Sequence, residues 1–474
     1  MNYDVVIGIE IHCELKTKTK MFSSAPVAFA KQANSCVNEV DLAHPGTLPA
    51  LNKKAVELAL RACYALDCSI DTLVKFDRKN YYYSDLPKGY QITQQFFPIG
   101  SNGNIEIDVD GYKKNIRINR IHMEEDTAKQ NHNYDGTYID YNRAGTPLIE
   151  IVSEADMSSG DEACAYVKKI KTILYYLGVS DVKMEEGSMR CDVNISLRKS
   201  KDDPFGVKTE IKNINSISYI AKAIESEIVR QSTLLDNNET IVQETRRYDE
   251  ATRSTISMRK KEGNVDYKYF PDPNIVPIKL NEQWVKDILD NLPQLPVQRK
   301  DTYINKYGLS EVDADILVED KELSDFYNIV VKDCNDYKSA ANWVITSLNA
   351  ILNKTNKSIS DLAIKPKHLA ELVNMINNND ISSKQAKIVF EDMLEGKDPK
   401  SIVEEKGMKQ VSDSNAILQI VIDVLDNNAQ SIEDYKNGKD RAVGYLVGQV
   451  MKASKGQANP SMSNKLILEE LKKR

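Results

Sequence analysis

Glu10, His12 and Glu14 alternate with apolar residues in Ile7-Gly8-Ile9-Glu10-Ile11-His12-Cys13-Glu14-Leu15, and residues of these types could hold a metal ion. Side chains along a strand point alternately to opposite faces, so residues 10, 12 and 14 share one face and 7, 9, 11, 13 and 15 the other. Two carboxylates and an imidazole so spaced suit a divalent cation such as Mg²⁺. The pattern recurs in Met189 to Arg198, where Arg190, Asp192, Asn194, Ser196 and Arg198 oppose an apolar set. In Val207 to Asn213, Lys208, Glu210 and Lys212 line up; Ile149-Glu150-Ile151 presents Glu150; His122-Met123-Glu124-Glu125-Asp126 adds three more acids. Carboxylates that converged on one floor would repel one another and call for a cation. Taken singly, each alternation reads more simply as the solvated face of an antiparallel strand.

Basic residues stand beside tyrosines in Arg78-Lys79-Asn80-Tyr81-Tyr82-Tyr83 and in Lys88-Gly89-Tyr90-Gln91. Such pairs stack on a base or nucleotide, and equally they suit an ordinary strand. Neither a P-loop, nor a G-x-G-x-x-G turn, nor a G-x-S-x-G elbow occurs, which removes support for the commonest phosphate, dinucleotide and serine-hydrolase sites. Cys13, Cys63 and Cys191 fall on apolar faces and read as core rather than as nucleophiles.

These strands must be positioned by a sizeable chain. Its 474 residues are enough for about three domains, and 41% hydrophobic with 28% charged residues is ordinary for a globular protein. No run approaches the ~20 apolar residues of a membrane span, and the start Met1-Asn2-Tyr3-Asp4 lacks the basic region of a targeting peptide. Seven cysteines, odd in number and without a C-x-x-C pair, point to a reducing cytoplasm rather than to a disulfide scaffold. The net charge of −7 conceals an asymmetry. Lys436 to Arg474 carries nine basic and three acidic residues, a net +6, leaving 54 basic against 67 acidic residues, or −13, for the rest.

The expected fold class is α+β. A largely antiparallel sheet domain with helices occupies residues 1–292, an all-α domain 293–406, and a small all-α tail 407–474. The stretch Leu292-Pro293-Gln294-Leu295-Pro296 marks the first junction and Glu405-Lys406-Gly407 the second. Helices are expected where Leu51, Ala55, Leu58 and Ala62 share a face, and after a capping box of Ser159 and Glu162, in a run ended by Gly178. Ile217, Ile220, Ile224 and Ile228 mark another; Ala340 to Leu352, His368 to Ile376 and Ala416 to Leu425 follow.

Longer motifs carry a resemblance. Val6 to Leu15, Pro45-Gly46-Thr47-Leu48-Pro49, Phe76 to Tyr81 and His122 to Asp126 stand in this order. Asn142-Arg143 with Gly145 to Glu150, Met184 to Asn194 and Tyr269-Phe270-Pro271-Asp272-Pro273 follow. Together they resemble the B-subunit family of the bacterial tRNA-dependent amidotransferases, and Gly448 to Pro460 is similar to the tail shared with the YqeY family. The chain departs from that family at Asn34-Ser35-Cys36, where some members carry a zinc-binding C-x-x-C, and at Lys268, where an arginine fork is usual.

The resemblance implies an N-terminal cradle that uses ATP and Mg²⁺ to phosphorylate the side-chain carboxylate of Glu or Asp mischarged on tRNA(Gln) or tRNA(Asn). Ammonia from glutamine, released in an A subunit, then displaces phosphate, while a small C subunit clasps the other two together. It implies His12, Glu125 and Glu150 as metal ligands, with Glu10, Glu124, Asp192 and Glu210 as further ligands or their supports. Lys79 and Arg190 would neutralise the phosphoryl group. Lys79, Tyr81, Arg190 and Asn194 would meet the nucleotide, and Lys88 and Tyr90 the incoming ammonia. Lys452, Lys455 and Lys465 of the basic tail would meet tRNA phosphates. Two other readings of the same residues are a Mg²⁺-dependent nuclease or phosphotransferase, and a non-catalytic tRNA-binding scaffold.

Overall fold

The structure, a computed structural model, describes residues 3–27, 31–260, 267–408, 414–437, 439, 441–454 and 457–474; Lys455 lies outside them. The chain divides into two compact units, Met1–Leu295 and Pro296–Arg474, parted inside the proline-rich stretch.

The first unit is built on a nine-stranded sheet. In chain order its strands are β1 (Asp4–Glu14), β2 (Ser69–Ile70), β3 (Gly100–Val109), β4 (Tyr112–Glu125), β5 (Pro147–Ser153), β6 (Met189–Arg198), β7 (Thr209–Ile214), β8 (Glu244–Asp249) and β9 (Ser254–Lys260). They lie in the order β9-β8-β7-β6-β1-β5-β4-β3-β2, antiparallel throughout except for the parallel pair β7–β8. β1, the strand with the chemical face, is therefore central, flanked by β5 and β6.

Alternation explains why the sheet has two unlike sides. Ile7, Ile9, Ile11 and Cys13 are buried, as are Ile149 and Ile151 on β5 and Val193 and Ile195 on β6. Each of these isoleucines and valines contributes roughly 1.5–3 kcal/mol on burial. Helices α1 (Lys53–Ala65), α2 (Gly160–Tyr176) and α3 (Ile217–Asp236) deliver their apolar faces to the same core, α2 through Tyr166, Val167, Ile170 and Leu174.

The helix signals act locally much as read. Asn52 caps α1 by accepting from the N–H groups of Lys54 and Ala55, and Ser159 caps α2 through the Glu162 N–H. The capping box is only half made, because the Glu162 carboxylate takes the Ser158 N–H and Lys114 instead. Gly178, at φ +65°, closes the helix in a left-handed conformation that glycine adopts without strain. Gly160 is required for another reason: a Cβ there would come within 2.8 Å of the Ala221 Cα, so the glycine lets α2 and α3 touch.

The second unit is helical, as the all-α expectation has it. One core gathers Tyr303, Leu317, Tyr327, Val344, Leu369, Val373 and Phe390; a separate one gathers Ile417, Val421, Leu425, Leu446, Val450, Ile467 and Leu471. The run expected over Ala340 to Leu352 is interrupted: Tyr337–Asn342 is α, Trp343–Leu348 is a π-helix and Asn349–Thr355 is α again. His368 to Ile376 falls within Pro366–Asn377, and Ala416 to Leu425 within Ser414–Asp426. Among the described residues no helix is long and apolar enough to cross a membrane.

Candidate active site

Strand register assembles the site. His12 on β1 lies opposite Glu150 on β5, and Glu150 lies opposite His122 on β4; on the other flank His12 faces Arg190 on β6. One row of four strands thus carries Arg190, His12, Glu150 and His122. Glu124, two residues beyond His122, joins them from the same face.

Ligand atoms of His12, Glu124 and Glu150 all lie within 4.8 Å of one another. His12 Nε2 is 3.5 Å from Glu124 Oε1 and 3.6 Å from Glu150 Oε2. Glu124 is buried and the Thr93 hydroxyl donates to its Oε2 at 3.4 Å. This is not a solvated strand face. Burial alone would raise the Glu150 pKa, but His122, His12 and Lys79 overturn that and hold it far below the carboxylate range. Burial likewise opposes the Lys79 ammonium, yet Glu124, Tyr269, Glu150 and Tyr267 raise its pKa. Lys79 sits 5.0 Å from the ring centre of Tyr267 and 5.7 Å from that of Tyr81.

A second acidic group lies farther along the same face. Glu10, Asp192 and Glu210 come from β1, β6 and β7, with Glu10 opposite Asp192 and Asn194 opposite Glu210. Here a lysine supplies the positive charge: Lys212 Nζ donates to Asp192 Oδ2 at 2.6 Å and lies 3.1 Å from Glu210 Oε1. Thr245 Oγ1 donates to Glu210 Oε2, and Asn194 Nδ2 to Glu10 Oε1, both at 2.9 Å. Burial, Glu150 and Asp192 together raise the Glu10 pKa, the opposite of what happens at Glu150. The difference is in the neighbours: imidazoles and a lysine surround one carboxylate, other carboxylates the second.

Glu125 is not brought to either group. It follows Glu124 in the strand, so its side chain turns the other way, where Lys88 Nζ meets Oε2 at 2.6 Å and the Ile92 N–H meets Oε1 at 3.0 Å. Lys88 and Tyr90 are neighbours, 5.8 Å from ammonium to ring centre, and Arg78 lies over the same ring at 4.0 Å. Arg190 is held by Asp126, which accepts from its Nη2 at 2.6 Å. Burial works against the guanidinium, and Asp126 and Glu14 outweigh it. Lys452 and Lys465 are exposed on helices Arg441–Ala453 and Pro460–Lys473 of the second unit.

A cavity of about 390 Å³ opens beside Glu10, lined among others by Gly8, Arg120, Asn194, Phe205 and Lys208. Gly8 adds no side chain to it, and the nearest atom to a Cβ placed there would be 3.9 Å away. Arg120 Nε and Asn194 Oδ1 are buried without a hydrogen-bond partner among the described residues. Of the residues expected at the nucleotide, Asn194 lines this cavity, whereas Lys79, Tyr81 and Arg190 do not.

The sequence reading counted Asp126 only among the converging acids and assigned no individual role to His122, Lys212 or Thr245. For His122 a signal existed, because period 2 puts it with Glu124. For Lys212 period 2 gave its place beside Glu210, but only the register of β6 against β7 brings it to Asp192; for Thr245 no signal existed, since only the pairing of β7 with β8 brings it to Glu210.

Two family models match the chain: the GatB/GatE catalytic domain over residues 5–286 and the GatB domain over residues 325–471. Among curated proteins, the B subunit of the aspartyl/glutamyl-tRNA(Asn/Gln) amidotransferase of Geobacillus thermodenitrificans is 52% identical over 476 residues, covering all of both chains. Its counterpart in Bacillus mycoides is 52% identical over 475 residues, again covering both in full. The β-sheet unit with its histidine–carboxylate group and the helical unit that follows it in the chain are thus both parts of a shared whole, and the chain belongs to the GatB/GatE family.

Proposed function

We propose that this chain is the B subunit of a tRNA-dependent amidotransferase of the cytoplasm, working with a glutaminase A subunit and a C subunit. Its substrates would be ATP and Glu-tRNA(Gln), Asp-tRNA(Asn) or both, and its products Gln-tRNA(Gln) or Asn-tRNA(Asn). The observation that carries this reading is the trio His12, Glu124 and Glu150, with Lys79 beside it, on the polar face of the central strands. Phosphoryl transfer is largely a matter of positioning and of neutralising charge, which such a group serves.

The donor set fits Mg²⁺: carboxylate oxygens and one imidazole nitrogen, no sulfur, all within 4.8 Å. His12, Glu124 and Glu150 would hold the ion, which when bound would neutralise phosphate oxygens. Lys79, drawn toward Glu124 and Glu150, is placed to meet negative charge beside it. ATP would occupy the cavity by Gly8, where Lys208 and Arg120 offer cations, Phe205 a ring to stack on, and Asn194 an unsatisfied oxygen. Lys88 would sit where ammonia enters. The segment 407–474 would form the tail that grips tRNA through Lys452, Lys455 and Lys465.

The test is ADP release by the assembled complex given Mg²⁺, ATP and no ammonia source. Release that requires mischarged Glu-tRNA or Asp-tRNA and leaves the RNA intact supports the reading. Strand cleavage, or ATP turnover indifferent to the aminoacyl group, overturns it.

A further inference from the structure

Glu150 stands between two imidazoles, and they are not equivalent. His12 reaches it from β1 with 22% of its side chain exposed and lies at similar distances from Glu124 and Glu150. His122 reaches it from β4 with 5% exposed, its Nε2 3.0 Å from Glu150 Oε2 and 3.8 Å from Glu124 Oε2. Its Nδ1 is buried and has no partner among the described residues, and the polar ties between this ring and the carboxylates run through Nε2.

An ionised carboxylate can only accept, so Nε2 must carry the hydrogen between His122 and Glu150. A nitrogen that donates to Glu150 has no lone pair left for a cation. Nδ1 is not among the converging ligand atoms either. The open histidine is therefore placed to bind, and the buried one is placed to hold the carboxylate that binds.

We propose that His122 is a positioning residue: its Nε2–H pins one oxygen of Glu150 and so fixes the orientation in which Glu150 meets a divalent cation shared with His12 and Glu124. The inference rests on the reading of that trio as a cation site. Hydrogen bonds of this kind commonly govern metal affinity roughly 10–100-fold without touching the metal.

The experiment titrates the full chain with Mn²⁺, followed by electron paramagnetic resonance, and records thermal melting of each variant in chelator. His122→Ala is expected to weaken Mn²⁺ binding roughly 10–100-fold. His122→Gln, whose side-chain amide offers a donor at similar reach, is expected to recover most of that loss. His12→Ala and Glu150→Ala are expected to abolish Mn²⁺ binding at this site. Wild-type affinity in His122→Ala overturns the proposal, as does a His122→Gln variant that melts normally yet binds as weakly as the alanine variant. If His122→Ala melts early, the glutamine variant decides alone. Unchanged binding in His12→Ala and Glu150→Ala fails the cation-site reading itself, which is a different result.

Discussion

Lys88 and Glu125 form a closed ion pair: one ammonium meets both carboxylate oxygens, at 2.5 and 2.6 Å, with the lysine side chain 16% and the glutamate 6% exposed. Removing only the lysine leaves a buried carboxylate without its counter-charge, which is far costlier than removing both. Lys88→Met is expected to destabilise the first unit by about 3–5 kcal/mol, and Lys88→Met with Glu125→Gln by clearly less. Urea denaturation of the two variants, run as a double-mutant cycle with Glu125→Gln, measures the difference.

The neighbouring glutamates should behave differently toward metal. Glu124 lies with His12 and Glu150, while Glu125 lies with Lys88. Glu124→Gln is expected to lower Mn²⁺ affinity at least tenfold and Glu125→Gln to leave it within about threefold of wild type. Calorimetric titration of both variants checks this, and the reverse order would contradict the assignment.

How the second of these acids came to be expected as a ligand shows where the sequence is legible. Alternation along β1 and β6 placed Glu10, His12, Asp192 and Asn194 on one face, and the structure keeps them there. The same rule applied to His122 through Asp126 selects His122, Glu124 and Asp126 and sets Glu125 on the other face; the resemblance had favoured Glu125 instead. Register across strands is a different kind of information. Nothing local in the sequence says that His12 faces Glu150, or that a parallel β7–β8 pair delivers Thr245 to Glu210. Those contacts depend on distant segments, and so does the cavity beside Gly8. The tail was legible in part, since charge and amphipathic helices mark it, although Lys455 lies outside the described residues.

Glu14 gives a test by pH. Burial first, and Asp126 next, push its pKa up to about 7, against an ordinary value of 4.5. A carboxyl whose folded pKa is raised binds more protons folded than unfolded, so its contribution turns unfavourable as pH rises from about 4.5 to about 7. Glu14→Gln removes the charge. The variant is expected to be more stable than wild type at pH 8, by at most about 3 kcal/mol, and little different at pH 4.5. Denaturant midpoints at the two pH values decide it; an equal gain at both would show that ionisation is not the cause.

The tail should act through charge. Lys452 and Lys465 are exposed on separate helices. Replacing either by alanine is expected to weaken tRNA binding alike for cognate and non-cognate tRNA and to reduce the slope of log affinity against log salt by about one. Filter binding across a salt series measures both, and a truncation after Gly407 should abolish most of the salt dependence.

The central claim is that the polar face of β1 and β5 activates a carboxylate carried on tRNA. The most direct measurement is ATP-dependent amide formation on mischarged tRNA by the complex carrying His12→Ala or Glu150→Ala. The account predicts a fall of roughly 10²–10³-fold or more in each, with tRNA binding and glutamine hydrolysis retained. Amide formation at the wild-type rate in both variants would contradict it.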